Sequence, residues 1–409
     1  MEQTLSMSMP PSMSPEPAQD SAGYRSGLRK FLPRLAVAIM LFALLLAAVE
    51  TLSYLMLRRQ ISSSREEQSF PHSLYANKPW AGELWREWHE MESESEYKAF
   101  VVWRDPQFAS EMVNIDAEGL RRTYNTDCSP GAYTIWMFGN SALLGEGSRD
   151  WETIPSLLAK RYQESGHPVC VKNYADRGWV GTQELVELML ALKASPVKPN
   201  LVIFYDGVSD TFLPYETTAG DVHGNYETMQ SWFTEAHALQ NPGFAYLQKT
   251  NTYRELLRLA TRWSRLGTSP RSAISPAVAS ESAQKVFDNY LKNAEIAATL
   301  GQRFGFRCAF FVQPTALIDA KPLTAEEEHI RQNAERTNPG IRLLFQNTYG
   351  LFRGIRQPDF FYLGDIFNHH PERLFIGFSH VTPEANEIVA GTIFQDIRDS
   401  GPEKPTHAK

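Results

Sequence analysis

The sequence predicts an α/β fold: a doubly wound parallel sheet with helices on both faces, behind a single N-terminal transmembrane helix. Three observations lead there. An unbroken apolar run, LAVAIMLFALLLAAV, occupies residues 35–49. Beyond it, four apolar stretches alternate with helical patterns: YTIWMFG (133–139), VCVKNYA (169–175), NLVIFYDG (200–207) and FRCAFFVQP (306–314). Strands alternating with helices build a parallel sheet covered on both sides. The composition, 409 residues with 43% hydrophobic and 21% charged side chains, is that of globular domains, which excludes collagen-like, coiled-coil and wholly disordered chains.

The membrane segment comes first. The apolar run extends back to Phe31 and on through Glu50 to Leu57. A bilayer core takes roughly 20 apolar residues in a helix, and residues 31–57 supply them. Glu50 is the one costly residue. A span starting at Phe31 and ending near Ser53 puts it at the outer interface, where its charge reaches water. Arg25, Arg29, Lys30 and Arg34 precede the run, whereas Arg58, Arg59 and Arg65 are diluted by Glu66 and Glu67. That bias puts the N-terminus in the cytoplasm and the rest of the chain outside it. A cleaved signal peptide is the competing reading, but the charged stretch before the run is long for one and no clear A-x-A site follows. Residues 1–30 read as a disordered cytoplasmic tail: up to Tyr24 they are rich in Met, Ser and Pro without periodicity.

The net charge of −7 and a pI near 5.9 argue against a nucleic-acid partner. A mean hydropathy of −0.35 excludes a polytopic membrane protein. Three cysteines cannot make a disulfide-dense scaffold and lack the tight pairing of a zinc site. No phosphate loop, dinucleotide fingerprint or repeat is visible, so no cofactor and no metal is expected.

Residues 58–130 form a membrane-proximal lead-in, polar from about Ser62 to Glu96, with short strands at Phe100–Arg104 and Met112–Asp116. Residues 131–400 then form the main domain, a flavodoxin-like doubly wound sheet. After the strand at 133–139 comes a helix from Thr153 to Glu164, with Pro155 in its first turn. After 169–175, Thr182 can cap a helix whose Leu185, Leu188, Met189 and Leu192 make one apolar face. After 200–207, a polar insertion runs over 211–280, with a lid over the strand ends as its expected use. VFDNYLKNAEIAATLGQRFG (286–305) is an amphipathic helix leading into 306–314. DFFYLGDIF (359–367) and RLFIGFSH (373–380) are strand-like. Thr382, Pro383 and Glu384 open the last helix, and residues 401–409 read as a disordered tail.

In such folds ligands bind beyond the carboxyl ends of the strands. Ser141, in FGNSALLGEG, follows the first strand directly. A serine on a strand-to-helix turn can act as a nucleophile, with outward N–H groups to stabilise an oxyanion, or it can simply cap the turn. The G-x-S-x-G elbow is absent because residue 143 is Leu, which weighs against an α/β-hydrolase. His380, just before the last helix, can serve as general base or be a structural histidine. Asn173 and Gly178 follow the second strand, and Asp206, Gly207, Ser209 and Asp210 the third. Gly178 and Ser209 can each donate to an oxyanion or be plain turn residues.

Together, FGNS (138–141), Asn173 and Gly178 before a T-Q-E helix, DG-x-x-D (206–210) and SHVTPEAN (379–386) resemble the SGNH/GDSL hydrolases. The resemblance covers roughly 130–400. It looks closest to membrane-anchored bacterial members associated with exopolysaccharide or cell-surface acylation, to which NIDAEGLRRT (114–123), TIPSLLA (153–159) and the V-Q-P at 312–314 are also similar. It implies a serine esterase or O-acetyl transferase working through an acyl-serine intermediate on an extracytoplasmic polysaccharide. Ser141 would be the nucleophile and His380 the base, with Ser141, Gly178 and Ser209 in the oxyanion hole. The chain would sit in the bacterial inner membrane with its main domain periplasmic or extracellular. An acylated polysaccharide or small ester would be the substrate, and a membrane-bound acyltransferase a partner. Three positions depart from the family pattern: Asn140 replaces its Asp, Ser209 its Asn, and Gly377 the acid three residues before the histidine. A histidine base normally needs a partner to set its tautomer, and Asp365, Glu384 and Asp210 are the candidates. A catalytically impaired glycan-binding or scaffold protein is the alternative function.

Cys170 and Cys308 lie in strands, so buried free thiols are expected rather than a bridge. Trp80, Trp85 and Trp88 are expected to pack a small subdomain or sit at the membrane interface rather than stack on sugars. Asn368, His369 and His370 read as surface residues more than as a metal site, and 271–282 as a flexible loop or lid edge.

Overall fold

The computed structural model describes residues 21–67, 75, 78–92, 95–216, 222–238, 250–253, 255–256 and 273–399. The chain divides into two compact units, residues 1–64 with 241–265, and residues 65–240 with 266–409. The expected tails at 1–20 and 401–409 lie outside the described residues.

In the first unit the long helix α1 (Ser21–Glu67) begins inside the stretch expected to be a tail and runs past the expected end of the span. Its apolar section, Pro33–Met56, is 24 residues long with a mean hydropathy of 2.5, and its apolar side chains are exposed. That is long and apolar enough to cross a membrane. Glu50 is partly exposed and also hydrogen-bonded. Its carboxylate accepts the N–H groups of Asn251 (2.5 Å) and Thr252 (2.9 Å) and the Thr252 hydroxyl (2.7 Å). A charge near the end of an apolar span is costly unless hydrogen-bonded, and here part of the insertion supplies the bonds.

In the second unit, α2 (Ala81–Glu92) buries Leu84, Trp88 and Met91, so Trp88 is a core residue as expected. Two small hairpins follow: β1 (Glu96–Lys98) with β2 (Val102–Arg104), and β3 (Phe108–Ala109) with β4 (Asn114–Ile115). The main sheet has five parallel strands. They are β5 (Tyr133–Gly139), β6 (Val169–Asn173), β7 (Leu201–Asp206), β8 (Arg307–Val312) and β9 (Phe360–Tyr362), in the order β6-β5-β7-β8-β9. That order is second, first, third, fourth, fifth, with its switch point between β5 and β7.

Along β5, Ile135 and Met137 pack on one face beneath α4 (Ile154–Glu164), while Trp136 and Phe138 pack on the other beneath α5 (Gly181–Ala194). Burial on both faces is why these strands read as continuous apolar runs. Tyr174, Phe138, Phe204, Phe310 and Phe360 stack across the sheet at centroid spacings of 4.9, 5.5, 5.3 and 4.8 Å.

The helices differ from expectation in several places. Val180, not Thr182, is the residue before α5, and Met189 points outward at 47% exposure while Ala191 takes its place in the core. Within the expected insertion, α6 (Val208–Glu216) runs in from its start and α7 (Tyr226–Ala238) lies inside it. Phe212 and Tyr215 of α6 pack in a third apolar cluster. The rest of a possible lid, 217–221, 239–249, 254 and 257–272, lies outside the described residues. The long helix α8 (Pro276–Phe304) starts ten residues earlier than its apolar pattern, capped by Ser275, so most of the expected loop at 271–282 is helix. Then come α9 (Ala325–Thr337), α10 (Ile341–Arg353) and the last helix, α11 (Pro383–Asp399).

Cys128 and Cys170 form a disulfide, contrary to the expectation of free thiols, while Cys308 is free and buried. Residues 126–128 run beside the outer strand, where Asp127 N–H donates to Val169 O (2.9 Å) and the Thr126 hydroxyl to the same carbonyl (3.1 Å). That local pairing brings the loop cysteine to the strand cysteine.

Candidate active site

The first strand ends in Gly139. A Cβ there would lie 2.5 Å from Tyr205 O and 2.9 Å from the Leu143 side chain, so only glycine lets the chain turn straight into the next helix. That short helix, α3 (Ser141–Leu144), is capped by Asn140, whose Oδ1 accepts the Ala142 N–H (3.0 Å). Ser141 is its first residue, and its N–H has no acceptor among the described residues.

His380 comes from the other end of the chain. The expected strand at 373–380 is instead a tight turn, closed by a bridge between Phe375 and Val381 and by Ile376 N–H donating to His380 O (3.0 Å). Buried Glu327, on α9, accepts the N–H groups of Leu374 (2.9 Å) and Phe375 (3.0 Å). The Thr315 hydroxyl holds Phe378 O (2.7 Å). Gln313 is fully buried and joins the two halves: its Oε1 accepts from Asn140 Nδ2 (2.7 Å) and its Nε2 donates to Ser379 O (3.4 Å). These braces place Ser141 Oγ 2.7 Å from His380 Nε2. Serine and base meet at hydrogen-bond distance, the geometry of proton abstraction from a nucleophile.

The loop after β6 is tied to the same strand end by Asp176 N–H donating to Gly139 O (3.2 Å). Gly178 has φ +65° there, and its N–H also has no acceptor among the described residues. The Trp103 indole borders it and donates to Arg177 O (2.8 Å). Asn173 is structural: it donates to Leu143 O (3.2 Å) and accepts from Ala175 N–H (3.1 Å). Ser209 lies in the first turn of α6, partly exposed, beyond the end of β7.

None of the three expected acids serves His380. Asp365 pairs with Arg353, Glu384 with Lys78 (3.1 Å), and Asp210 accepts the Gly181 N–H (3.0 Å). No described residue bonds Nδ1 of the histidine ring. A Cβ at Gly377 would lie 3.5 Å from that nitrogen. The carboxylate that does stand by the ring is Glu146, with Oε2 3.3 Å from Nε2. Glu146, Gln313 and Glu327 escape a reading of the sequence. Only the glycines around Glu146 and the V-Q-P ending of β8 mark two of them.

Asp210 instead joins a buried acidic group with Asp206 and Glu184, 5%, 2% and 0% exposed. Burial first, then the charge of Asp210, pushes Asp206 up to about 8. Burial first, then the charge of Asp206, raises Glu184 well above the usual carboxylate range. A carboxyl that holds its proton more tightly when folded stabilises the fold at low pH. That stability is lost as pH rises from about 4, where the unfolded chain titrates, through about 8. Urea midpoints should therefore fall across this range. Asp206→Asn, which keeps a neutral side chain, should flatten the slope and leave the variant more stable than wild type above pH 8, by roughly 1–3 kcal/mol. A slope unchanged in the variant would contradict the assignment.

No protein-family model matches the chain, and no curated protein matches it. Solved structures do. A lipolytic protein of the G-D-S-L family from Veillonella parvula DSM 2008 is 9% identical, with 64% of this chain and 96% of that one covered at a TM-score of 0.34. A lipase/acylhydrolase from Enterococcus faecalis is 13% identical, with 67% and 99% covered at 0.33. A psychrotrophic esterase from Pseudoalteromonas sp. is 10% identical, with 65% and 97% covered at 0.31. At this level of similarity a functional reading has to stand on the chain's own geometry.

Proposed function

We propose that this chain is a membrane-anchored SGNH-type serine esterase or O-acetyl transferase acting on an extracytoplasmic polysaccharide through an acyl-Ser141 intermediate. The observation that carries the reading is the 2.7 Å contact between Ser141 Oγ and His380 Nε2 at the switch-point end of a parallel sheet. His380 takes the hydroxyl proton as Oγ attacks the ester carbonyl. The N–H groups of Ser141 and Gly178, with the Ser209 hydroxyl, are the proposed oxyanion donors. The leaving alcohol takes the proton from His380. Water (hydrolysis) or a sugar hydroxyl (transfer) then attacks the acyl-enzyme, with the histidine again as base.

The apolar length of α1 supports a membrane anchor, and the basic residues Arg25, Arg29, Lys30 and Arg34 before it support a cytoplasmic N-terminus. The Cys128–Cys170 bridge supports an oxidising compartment for the main domain. An acylated polysaccharide as substrate and a membrane-bound acyltransferase as partner rest on the resemblance in sequence. A second reading, a glycan-binding protein without turnover, is favoured by one observation: glycine stands where the family carries the acid. Labelling of the full-length chain in detergent with a fluorophosphonate separates the two. The enzyme reading expects an adduct on Ser141, and the binding reading expects none.

A further inference from the structure

We infer that Glu146 is the carboxylate partner of His380, acting from the Nε2 side of the ring. The inference rests on Ser141 as nucleophile and His380 as base, and adds a positioning residue to that site. Its Oε2 is 3.3 Å from the nitrogen that also meets Ser141 Oγ at 2.7 Å. The side chains of His380 and Glu146 are 19% and 24% exposed, so the carboxylate's attraction for the ring in its protonated form is less screened than in a surface pair.

The loop carrying Glu146 is held on every side. Gly145 and Gly147 flank it at φ +98° and +80°. A Cβ at 145 would lie 2.6 Å from Thr153 Cγ2, and one at 147 would lie 2.2 Å from Ile376 Cδ1, so both positions require glycine. Arg121, fully buried, donates Nη1 to Leu144 O (2.9 Å) and Gly145 O (2.7 Å), and Nη2 to Ser148 O (2.6 Å). Its Nε holds Asp150 Oδ1 (3.0 Å). The Tyr75 hydroxyl donates to Gly147 O (2.7 Å). Ile376, packed against Gly147, belongs to the turn that carries His380. A carboxylate on a loop held in this way needs little further ordering to face the ring.

The proton balance follows. As the bond from Ser141 Oγ to the acyl carbon forms, the hydroxyl proton moves to Nε2 and the carbonyl electron pair moves to oxygen. Nε2–H⁺ then faces the Glu146 carboxylate, which offsets its charge without taking the proton. The proton goes on to the leaving alkoxide as the ester C–O bond breaks. In family members the acid does this from Nδ1. Here Nδ1 has no partner among the described residues, and the charge comes from the opposite nitrogen.

The test is steady-state hydrolysis of an acetyl ester by the full-length chain in detergent. Glu146→Gln should lower kcat about 100-fold with KM within about twofold, because the charge is used in the transition state rather than in substrate binding. Adding Gly377→Asp to Glu146→Gln should recover about tenfold or more, because an aspartate there lies beside Nδ1. The gain should exceed that of Gly377→Asp alone, whereas a purely structural loss would leave the two gains equal. Wild-type kcat or higher in Glu146→Gln, or a gain from Gly377→Asp no larger in Glu146→Gln than in the natural chain, overturns the assignment while leaving the serine mechanism in place. Full activity in Ser141→Ala overturns the mechanism and this assignment with it.

Discussion

Ser141→Ala is expected to lower kcat for an acetyl ester by roughly 10⁴-fold or more, and His380→Ala by a similar factor. The two side chains act on one proton across a 2.7 Å contact, so neither has a role without the other. The double variant should therefore be about as impaired as either single one, not the product of both losses. Residual turnover would come from the oxyanion donors and from binding. Neither substitution should unfold the chain, because neither side chain is in the apolar core and the braces on their loops run through Asn140, Gln313, Thr315 and Glu327. Steady-state kinetics beside a melting curve check both parts. Additive losses would mean that serine and histidine work in separate steps.

Gly377→Asp is expected to raise kcat about tenfold or more over the natural chain. Position 377 has no left-handed backbone, and the added Cβ meets nothing closer than His380 Nδ1 at 3.5 Å, so the Cβ fits without strain. It would place an acceptor on the ring nitrogen that has none, favouring the tautomer that leaves Nε2 free to take the Ser141 proton. The gain should be larger in the Glu146→Gln background, where no other carboxylate serves the ring. A fall in kcat in a well-folded Gly377→Asp variant would mean that the space beside Nδ1 belongs to the substrate.

Much of the fold was legible because β5, β6, β7 and β8 are buried on both faces, which forces long apolar runs that few other elements need. The Ser–His pair was legible for a related reason: in a doubly wound sheet the strand ends and the turn before the last helix converge, so residues far apart in the chain could be placed together by topology alone. The helix α9, AEEEHIRQNAERT, was not legible, because its partly covered position asks for few apolar residues. The Cys128–Cys170 bridge depended on how a loop runs beside the outer strand, which no periodicity encodes. The three carboxylates expected beside the histidine bond other groups. Glu146 instead sits five residues after the serine, and its aim is set by the Arg121 bonds and by the two glycines.

The central claim is that Ser141 is an activated nucleophile. Peptide mass mapping after fluorophosphonate treatment of the full-length chain tests it most directly. The account predicts a single adduct on Ser141, absent in Ser141→Ala and formed much more slowly in His380→Ala. No adduct on Ser141, or equally fast labelling without His380, would contradict it.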